Sequence, residues 1–305
     1  MLRETPAPEP GADEVLVEVR AVGVNPVDTY IRAGGQGYAP RLPYTPGMDG
    51  AGVVRAVGAN VRDLSAGERV YLSGSVTGTY AELCLCLPSQ VHPLPDALSF
   101  AEGAGVNVPY ATAYRALFQR ARLAPGQSLL VHGASGGVGL AAVQLAAAFG
   151  AIVYGTAGSE AGRKLVREQG AAEVFDHRDP RHFAQILAAT GGCGIDVIAE
   201  MLANVSLGRD LEILAPRGQV VVIGNRGTVE INPRELMRRD AAVLGMSLMN
   251  LDDVDKCAIH AALAAGLSQG ALRPVIQREL PLAQAPQAHR LVMEGDSLGK
   301  IVLIL

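Results

Sequence analysis

The chain has 305 residues, 49% of them hydrophobic and 18% charged, with a formal net charge of −4 and an isoelectric point near 5.9. That composition supports a large buried core shared between two domains and excludes a chain dominated by disorder. Mild acidity, 4% aromatic content and the absence of tryptophan give neither a basic stripe nor a stacking platform, so nucleic acid and anionic membrane are not expected partners.

Charges at Arg3, Glu4, Asp13, Glu14 and Glu18 break any leader-type apolar run, and no later run reaches the ~20 apolar residues of a membrane span. A cytoplasmic protein is expected. Cys84, Cys86, Cys193 and Cys257 form no C-x-x-C pair and stand outside ligand spacing from any histidine, so free thiols are expected.

Residues 15 to 102 read as short strands broken by turns, beginning with "VLVEVRAVGV" (15–24), "GAGVVRAVG" (50–58), "ERVYL" (68–72) and "GTYAELCLCL" (78–87). From about Val106 the pattern alternates: helix "YATAYRALFQRA", strand "SLLVHGA", helix "GGVGLAAVQLAAAFG", strand "AIVYGTA", helix "SEAGRKLVREQG", strand "EVFDH", helix "PRHFAQILAAT" and strand "GIDVIAEM". Helix "VSLGRDLEILA" and strands "GQVVVIG" and "AAVLGMSL" continue the series. Alternation of this kind predicts a doubly wound parallel sheet with crossover helices, an α/β fold. The tail adds helix "DKCAIHAALAAGLSQG", an extended "RPVIQRELPL", helix "APQAHRLVMEG" and strand "GKIVLIL", too little for a core of its own. The organisation read from these patterns is a β-rich domain over 1–104, a nucleotide-binding domain over 105–247, and a segment over 248–305 that returns to the first domain.

The stretch "LLVHGASGGVGLAA" carries the strongest chemical signal. A strand that turns tightly into a helix leaves the helix's first N–H groups unpaired, with the positive end of the helix dipole behind them. That arrangement binds phosphate. Gly136 and Gly137 let the backbone approach a pyrophosphate, and Gly139 permits close packing of helix on strand. The strict G-x-G-x-x-G spacing is not met, since Ala134 stands at the first glycine and Gly133 precedes it. The strand–turn–helix–strand context nevertheless predicts a dinucleotide site. The second strand ends "GTAG" (155–158) without the acid that would bond an NAD ribose, and Arg163 and Lys164 follow, so NADP is favoured. The alternative reading makes both basic residues ordinary solvated helix positions.

Together "GVNPVDTYIRAG", "PYTPGMDGAGVV", "VPYATAYRAL", "LLVHGASGGVGLAA", "GTAGSEAGRKLV", "EMLANVSL", "RGTVEINPREL" and "GKIVLIL" resemble the zeta-crystallin-like NADPH:quinone oxidoreductases of the medium-chain dehydrogenase/reductase superfamily. The resemblance covers nearly the whole chain, except that members usually carry a further strand pair ahead of this N-terminus. It implies a GroES-like catalytic domain, a Rossmann domain, and NADPH held in a cleft between them. Zinc-dependent relatives place a Cys in the loop that here reads "GVNPVD" and a His-Glu pair where this chain has Met48 and Asp49. Neither Asn25 nor Met48 is an ordinary zinc ligand and the four-cysteine structural lobe is missing, so no metal is expected.

Without a Lewis acid the acceptor must already be electrophilic, which suits a quinone or, as the alternative, an enone or alkenal. The resemblance implies that Tyr30 contacts the nicotinamide end and that Asn25 contacts the acceptor or the carboxamide. The residues themselves leave open a core tyrosine for Tyr30 and a turn-former for Asn25 before Pro26. By the same resemblance Ser135, Gly136, Gly137 and Val138 form the pyrophosphate loop, Gly158 and Lys164 lie on the adenosine-phosphate side, and His177 lines the ribose or 2′-phosphate. Ile223, Gly224, Asn225 and Arg226 match the loop beside the nicotinamide, and Met246, Ser247 and Leu248 flank it. Ser206 and Asn225 stand where close relatives often have Asn and Ser. A homo-oligomer, dimer or tetramer, is implied, with "AAVLGMSL" as a pairing edge; a nucleotide-binding or structural crystallin-like role is the reading from another class.

Overall fold

The structure, a computed structural model, describes residues 2–34, 37–295 and 297–305. It divides into two compact units, Met1–Val108 with Ala264–Leu305, and Pro109–Leu263.

In the first unit the valine-rich β1 (Val15–Val24) is the organising strand. Val15, Val17, Val19, Val22 and Val24 are buried, as β-branched side chains on a covered sheet face should be. β1 is followed by α1 (Pro26–Ala33), β2 (Asp49–Val57), β3 (Arg69–Ser73), β4 (Leu83–Cys86), β5 (Val91–Pro93) and the short α2 (Phe100–Gly103). One flank of β1 pairs with β2 from Val15↔Val57 to Gly23↔Asp49, and the other with β4 over Val15–Glu18. The remaining half of that second flank is taken by the chain's last strand, β13 (Lys300–Ile304), which lies alongside Ala21–Val24. Its neighbour β12 (Ile276–Pro281) completes a sheet of order β12-β13-β1-β2-β3-β5. Cys84 and Cys86 lie fully buried on one face of β4, their Sγ atoms 3.8 Å apart, and act as small core hydrophobes.

The second unit begins within α3 (Asn107–Tyr114), which runs on as a π-helical segment over Arg115–Arg120. Then follow β6 (Ser128–Val131), α4 (Gly137–Ala148), β7 (Ile152–Thr156), α5 (Glu160–Glu168), β8 (Glu173–Phe175), α6 (His182–Ala189) and β9 (Ile195–Glu200). The series closes with α7 (Ala203–Ile213), β10 (Leu214–Val222), α8 (Pro233–Arg239), β11 (Ala242–Gly245) and α9 (Asp253–Ser268). The six strands are parallel in the order β11-β10-β9-β6-β7-β8, the doubly wound arrangement whose switch point lies between β6 and β9. α4 is apolar all round because it is buried all round: every residue from Gly139 to Ala146 is covered.

The chain returns to the first unit at Ala264, later than the 248 read from the sequence. The first half of α9 stays with the second unit, where Arg115 bonds Asp255 at 2.8 Å and Gln119 donates to its carbonyl at 3.1 Å. The remaining helix, α10 (Ala285–Glu294), packs on β13 and places Ala288 in the first core. Three helices stand where the sequence reading had none: α1, α2 and α8. Among the described residues no helix is long and apolar enough to cross a membrane.

Candidate functional site

The carboxyl edge of the parallel sheet collects most of the expected cofactor residues. After β6 the chain runs through His132, Gly133 (φ 56°), Ala134 and Ser135 to Gly136, which caps α4 with extended backbone (φ −79°, ψ 171°). Gly133 donates its N–H to Thr156 Oγ1 at 3.1 Å and Ala134 donates to the Thr156 carbonyl at 2.8 Å, tying the turn to the end of β7. The N–H groups of Gly137, Val138 and Gly139 then open the helix, where α-helical geometry supplies no acceptor. A Cβ on Gly139 would lie 2.6 Å from Ala134 Cα, so only glycine lets α4 start this close to its own strand.

Along the edge, Gly158 follows β7 and is buried beneath the turn after β8. A Cβ there would stand 2.7 Å from His177 Nε2 and 3.0 Å from Arg178 Nε, so the absent side chain makes the space those two residues use. Lys164 lies elsewhere: it is 75% exposed on α5 and pairs with Glu168 at 3.8 Å. Arg163 is engaged by Asp176 at 2.8 Å and Glu160 at 2.7 Å. Arg178, exposed in the turn after β8, was not among the expected residues; its signal was "FDHRD", where only the histidine drew notice.

On the far side of the switch point the loops after β9 and β10 are laced together. Ile223 and Gly224 donate to the Glu200 carbonyl at 2.9 and 3.2 Å, and Ala203 donates to the Gly224 carbonyl at 3.0 Å. A Cβ on Gly224 would fall 2.2 Å from the Met201 carbonyl oxygen. Arg226 N–H reaches Asn204 Oδ1 at 2.9 Å, and Asn225 and Arg226 are exposed. Met246 donates to the Val222 carbonyl at 3.3 Å, and Ser247 caps the short turn at Leu248 by accepting from Met249 N–H. Ser206 sits half-buried in the first turns of α7, so the asparagine meeting this loop is Asn204.

In the first unit, Asn25 caps α1. Its N–H donates to Asp28 Oδ2 at 2.8 Å with Pro26 at the first helical position, a start signal the turn reading passed over. The Asn25 side chain points inward, its Nδ2 donating to Asp49 Oδ2 at 2.9 Å. The Lys300 ammonium donates to Asn25 Oδ1 and to Asp49 Oδ2, the latter at 2.9 Å, with Lys300 and Asp49 side chains 6% and 1% exposed. Asp49 Oδ1 accepts from Asn107 Nδ2 at 3.1 Å and from Val108 N–H at 2.9 Å. This carboxylate is therefore saturated by charge-assisted bonds around a buried cation. Asp28 is different: burial pushes its carboxyl up to about 7, and Tyr80 Oη, 3.4 Å away, also contacts His289 Nε2 at 3.1 Å. Tyr30 is half-buried, near the end of α1.

A doubly wound parallel sheet whose central strand turns tightly into a glycine-opened helix, together with a β-rich unit built around a saturated carboxylate, defines an oxidoreductase of the medium-chain dehydrogenase/reductase class. Residues 11–96 match the alcohol dehydrogenase GroES-like domain and residues 137–264 the zinc-binding dehydrogenase family. The quinone oxidoreductase of Pongo abelii is 47% identical over 299 residues, covering 98% of this chain and 91% of the relative. The crystal structure of Escherichia coli quinone oxidoreductase complexed with NADPH superposes with a TM-score of 0.89 at 30% identity, covering 100% of this chain and 95% of the other. A solved NAD-dependent alcohol dehydrogenase gives a TM-score of 0.92 at 28% identity, over 99% and 95% of the two chains. The chain belongs to the zeta-crystallin-like quinone oxidoreductase family.

Removing the buried cation while leaving Asp49 should be costly. Lys300→Met is expected to lower the unfolding free energy by about 3–5 kcal/mol, the usual loss when one partner of a buried ion pair is deleted. Adding Asp49→Asn should restore part of it. Urea denaturation of the two variants checks both; equal stability of Lys300→Met and the parent would remove Lys300 from this role.

Proposed function

We propose that the chain is an NADPH-dependent quinone reductase that works without a metal. The observation that carries this reading is the carboxyl edge of the parallel sheet, where a helix start, a glycine-made space and two laced loops suit a dinucleotide, in a chain nearly half identical to quinone oxidoreductases. NADPH, when bound, supplies the hydride. Ser135, Gly136, Gly137 and Val138 would hold the pyrophosphate through backbone N–H groups. Gly158, His177 and Arg178 would receive the adenosine phosphate, and the loops at Ile223–Arg226 and Met246–Leu248 would flank the nicotinamide. Lys164, turned toward Glu168, is the weakest of the proposed contacts.

The metal-free reading rests on Lys300. Asn25 and Asp49, on the two segments where zinc-dependent relatives keep ligands, are bridged by an internal ammonium, so the local negative charge is already neutralised. Tyr30 would position the acceptor, while Asn25, with its amide engaged inward, would set the start of α1 that carries Tyr30. An already electrophilic quinone needs only placement and exclusion of water. The enone reading uses the same residues and differs in the acceptor. We also propose a cytoplasmic homo-oligomer, paired through β11 at the sheet edge.

Titration with NADPH and NADH, then turnover with 1,4-benzoquinone and with an acyclic enone, separates the readings. Tighter NADPH binding and quinone turnover unchanged by EDTA are expected; enone turnover alone would replace the acceptor, and NADH preference would overturn the cofactor assignment. Arg178→Ala should weaken NADPH about tenfold or more while leaving NADH nearly unchanged, the scale of one charge-assisted phosphate contact. Light scattering should read a dimer or tetramer, and a monomer at working concentration would exclude the β11 pairing.

A further inference from the structure

Beneath the loops at the carboxyl edge lies a buried polar cluster that the proposed hydride transfer does not use. His132 follows β6, Thr156 ends β7, Glu200 ends β9, and Asp210 projects from α7; the last three are fully buried and His132 nearly so. His132 Nε2 lies 2.8 Å from Asp210 Oδ1 and 3.7 Å from Glu200 Oε2. On the other side of the ring, Nδ1 faces Thr156 Oγ1 at 3.4 Å, and that hydroxyl accepts from Gly133 N–H. Glu200 Oε1 accepts from Leu202 N–H. Glu200 Oε2 and Asp210 Oδ2 have no other donor among the described residues.

One order satisfies every donor and acceptor with the carboxyl proton on Glu200. Gly133 N–H donates to Thr156 Oγ1, whose proton goes to His132 Nδ1. The imidazole, neutral, donates from Nε2 to Asp210. Asp210 is ionised and can accept twice, so the facing Glu200 carboxyl satisfies it by donating its own proton, while Leu202 N–H serves the other Glu200 oxygen. Remove the Glu200 proton and two buried carboxylates face each other with no donor between them. Burial acts in the same direction: it holds Glu200 up to about 8, raises Asp210 and lowers His132. The charged and titratable neighbours are His182 on α6, whose Nδ1 meets the Asp179 carbonyl, Arg209 on α7, whose guanidinium lies over Phe183 beside His132, and the exposed His177.

The two ends of this chain are the loops assigned above to the two halves of the cofactor: Gly133 in the glycine loop, and Leu202 in the segment laced to Ile223 and Gly224. We propose that the proton-ordered chain through Thr156, His132, Asp210 and Glu200 holds both loops as one platform, and that loss of its carboxyl proton weakens NADPH binding. These are positioning residues. The proposal rests on the cofactor reading for its ligand, but not for the lock itself.

The experiment measures the NADPH dissociation constant of the intact protein from pH 6 to 10, in the parent and in Glu200→Gln, whose amide donates to Asp210 at every pH. The parent's constant should rise above about pH 8, by at most tenfold per pH unit for one required proton. Glu200→Gln should bind as the parent does at pH 7 and lose that alkaline limb. The cofactor-free readout is thermal stability. Glu200, raised above its unfolded value near 4.5, keeps in the folded state a proton that the unfolded chain releases, so stability falls as pH rises from about 4.5 to about 8. Glu200→Gln should flatten that slope. Should the variant not fold, the infrared band of a buried protonated carboxyl in the parent, present at pH 7 and gone by pH 10, supports the lock, and its absence at pH 7 overturns it. An unchanged alkaline limb in Glu200→Gln refutes the coupling, and zinc ions that stabilise the parent would put a metal where the proton is proposed. A flattened stability slope with no NADPH binding leaves the lock standing and sinks the cofactor reading.

Discussion

The close approach of α4 to β6 is the constraint on which the second unit depends. The helix begins one tight turn after its strand, and no side chain fits at Gly139, where the Ala134 backbone already stands. Because the turn is that short, the unpaired N–H groups at the helix start lie at the end of the central strand rather than over its face. The alanines and leucines behind them bury the helix from Gly139 to Ala146, so the turn cannot relax by letting the helix drift. The aim of the helix start is thus set by core packing: the same residues that fill the interior point the dipole at this edge.

In the first unit the corresponding constraint is electrostatic. Asp49 begins β2, Lys300 begins β13 and Asn25 follows β1, and these three strands are neighbours in the sheet. An ammonium in a closed interior is tolerated only when its donors are matched, and here a carboxylate and an amide oxygen match it. Glycine at position 23, opposite Asp49 in the ladder, makes room for the Lys300 stem, since a Cβ there would meet it and the Ala104 carbonyl. The last strand of the chain, paired with β1, is therefore also tied by charge to β2 on the other side of β1, which helps a return after 155 intervening residues of the second unit reach one register.

How much of this could be read in the sequence follows from how local each signal is. The strands and helices of the second unit were legible because apolar runs and their glycine breaks repeat at the spacing of a doubly wound sheet. The glycine loop was legible for the same reason, whereas Gly158 and Gly224 stood out only through the family resemblance, no local pattern marking them. α1 went unread although Asn25, Pro26 and Asp28 spell a helix start, because a run of strands on either side invited a turn. Lys300 and Arg178 were missed on different grounds. The meaning of Lys300 lies 251 positions away in Asp49, a separation that no local pattern spans. Arg178, which we propose for the adenosine phosphate, was overshadowed in the sequence by Arg163 and Lys164, which pair with Asp176, Glu160 and Glu168.

The two buried carboxylate systems of the chain solve one problem in opposite ways. Asp49 is matched by donors: a lysine, two amide groups and a backbone N–H satisfy both of its oxygens. Glu200 and Asp210 have an imidazole and one backbone N–H between them, too few donors for two negative charges, so a proton must complete the count. A site neutralised by a shared proton responds to pH through that proton. The distribution matches the division of labour we propose: the unit assigned the acceptor-side residues is tied by an ion pair, and the unit assigned the cofactor loops by a bond that protons can make and break.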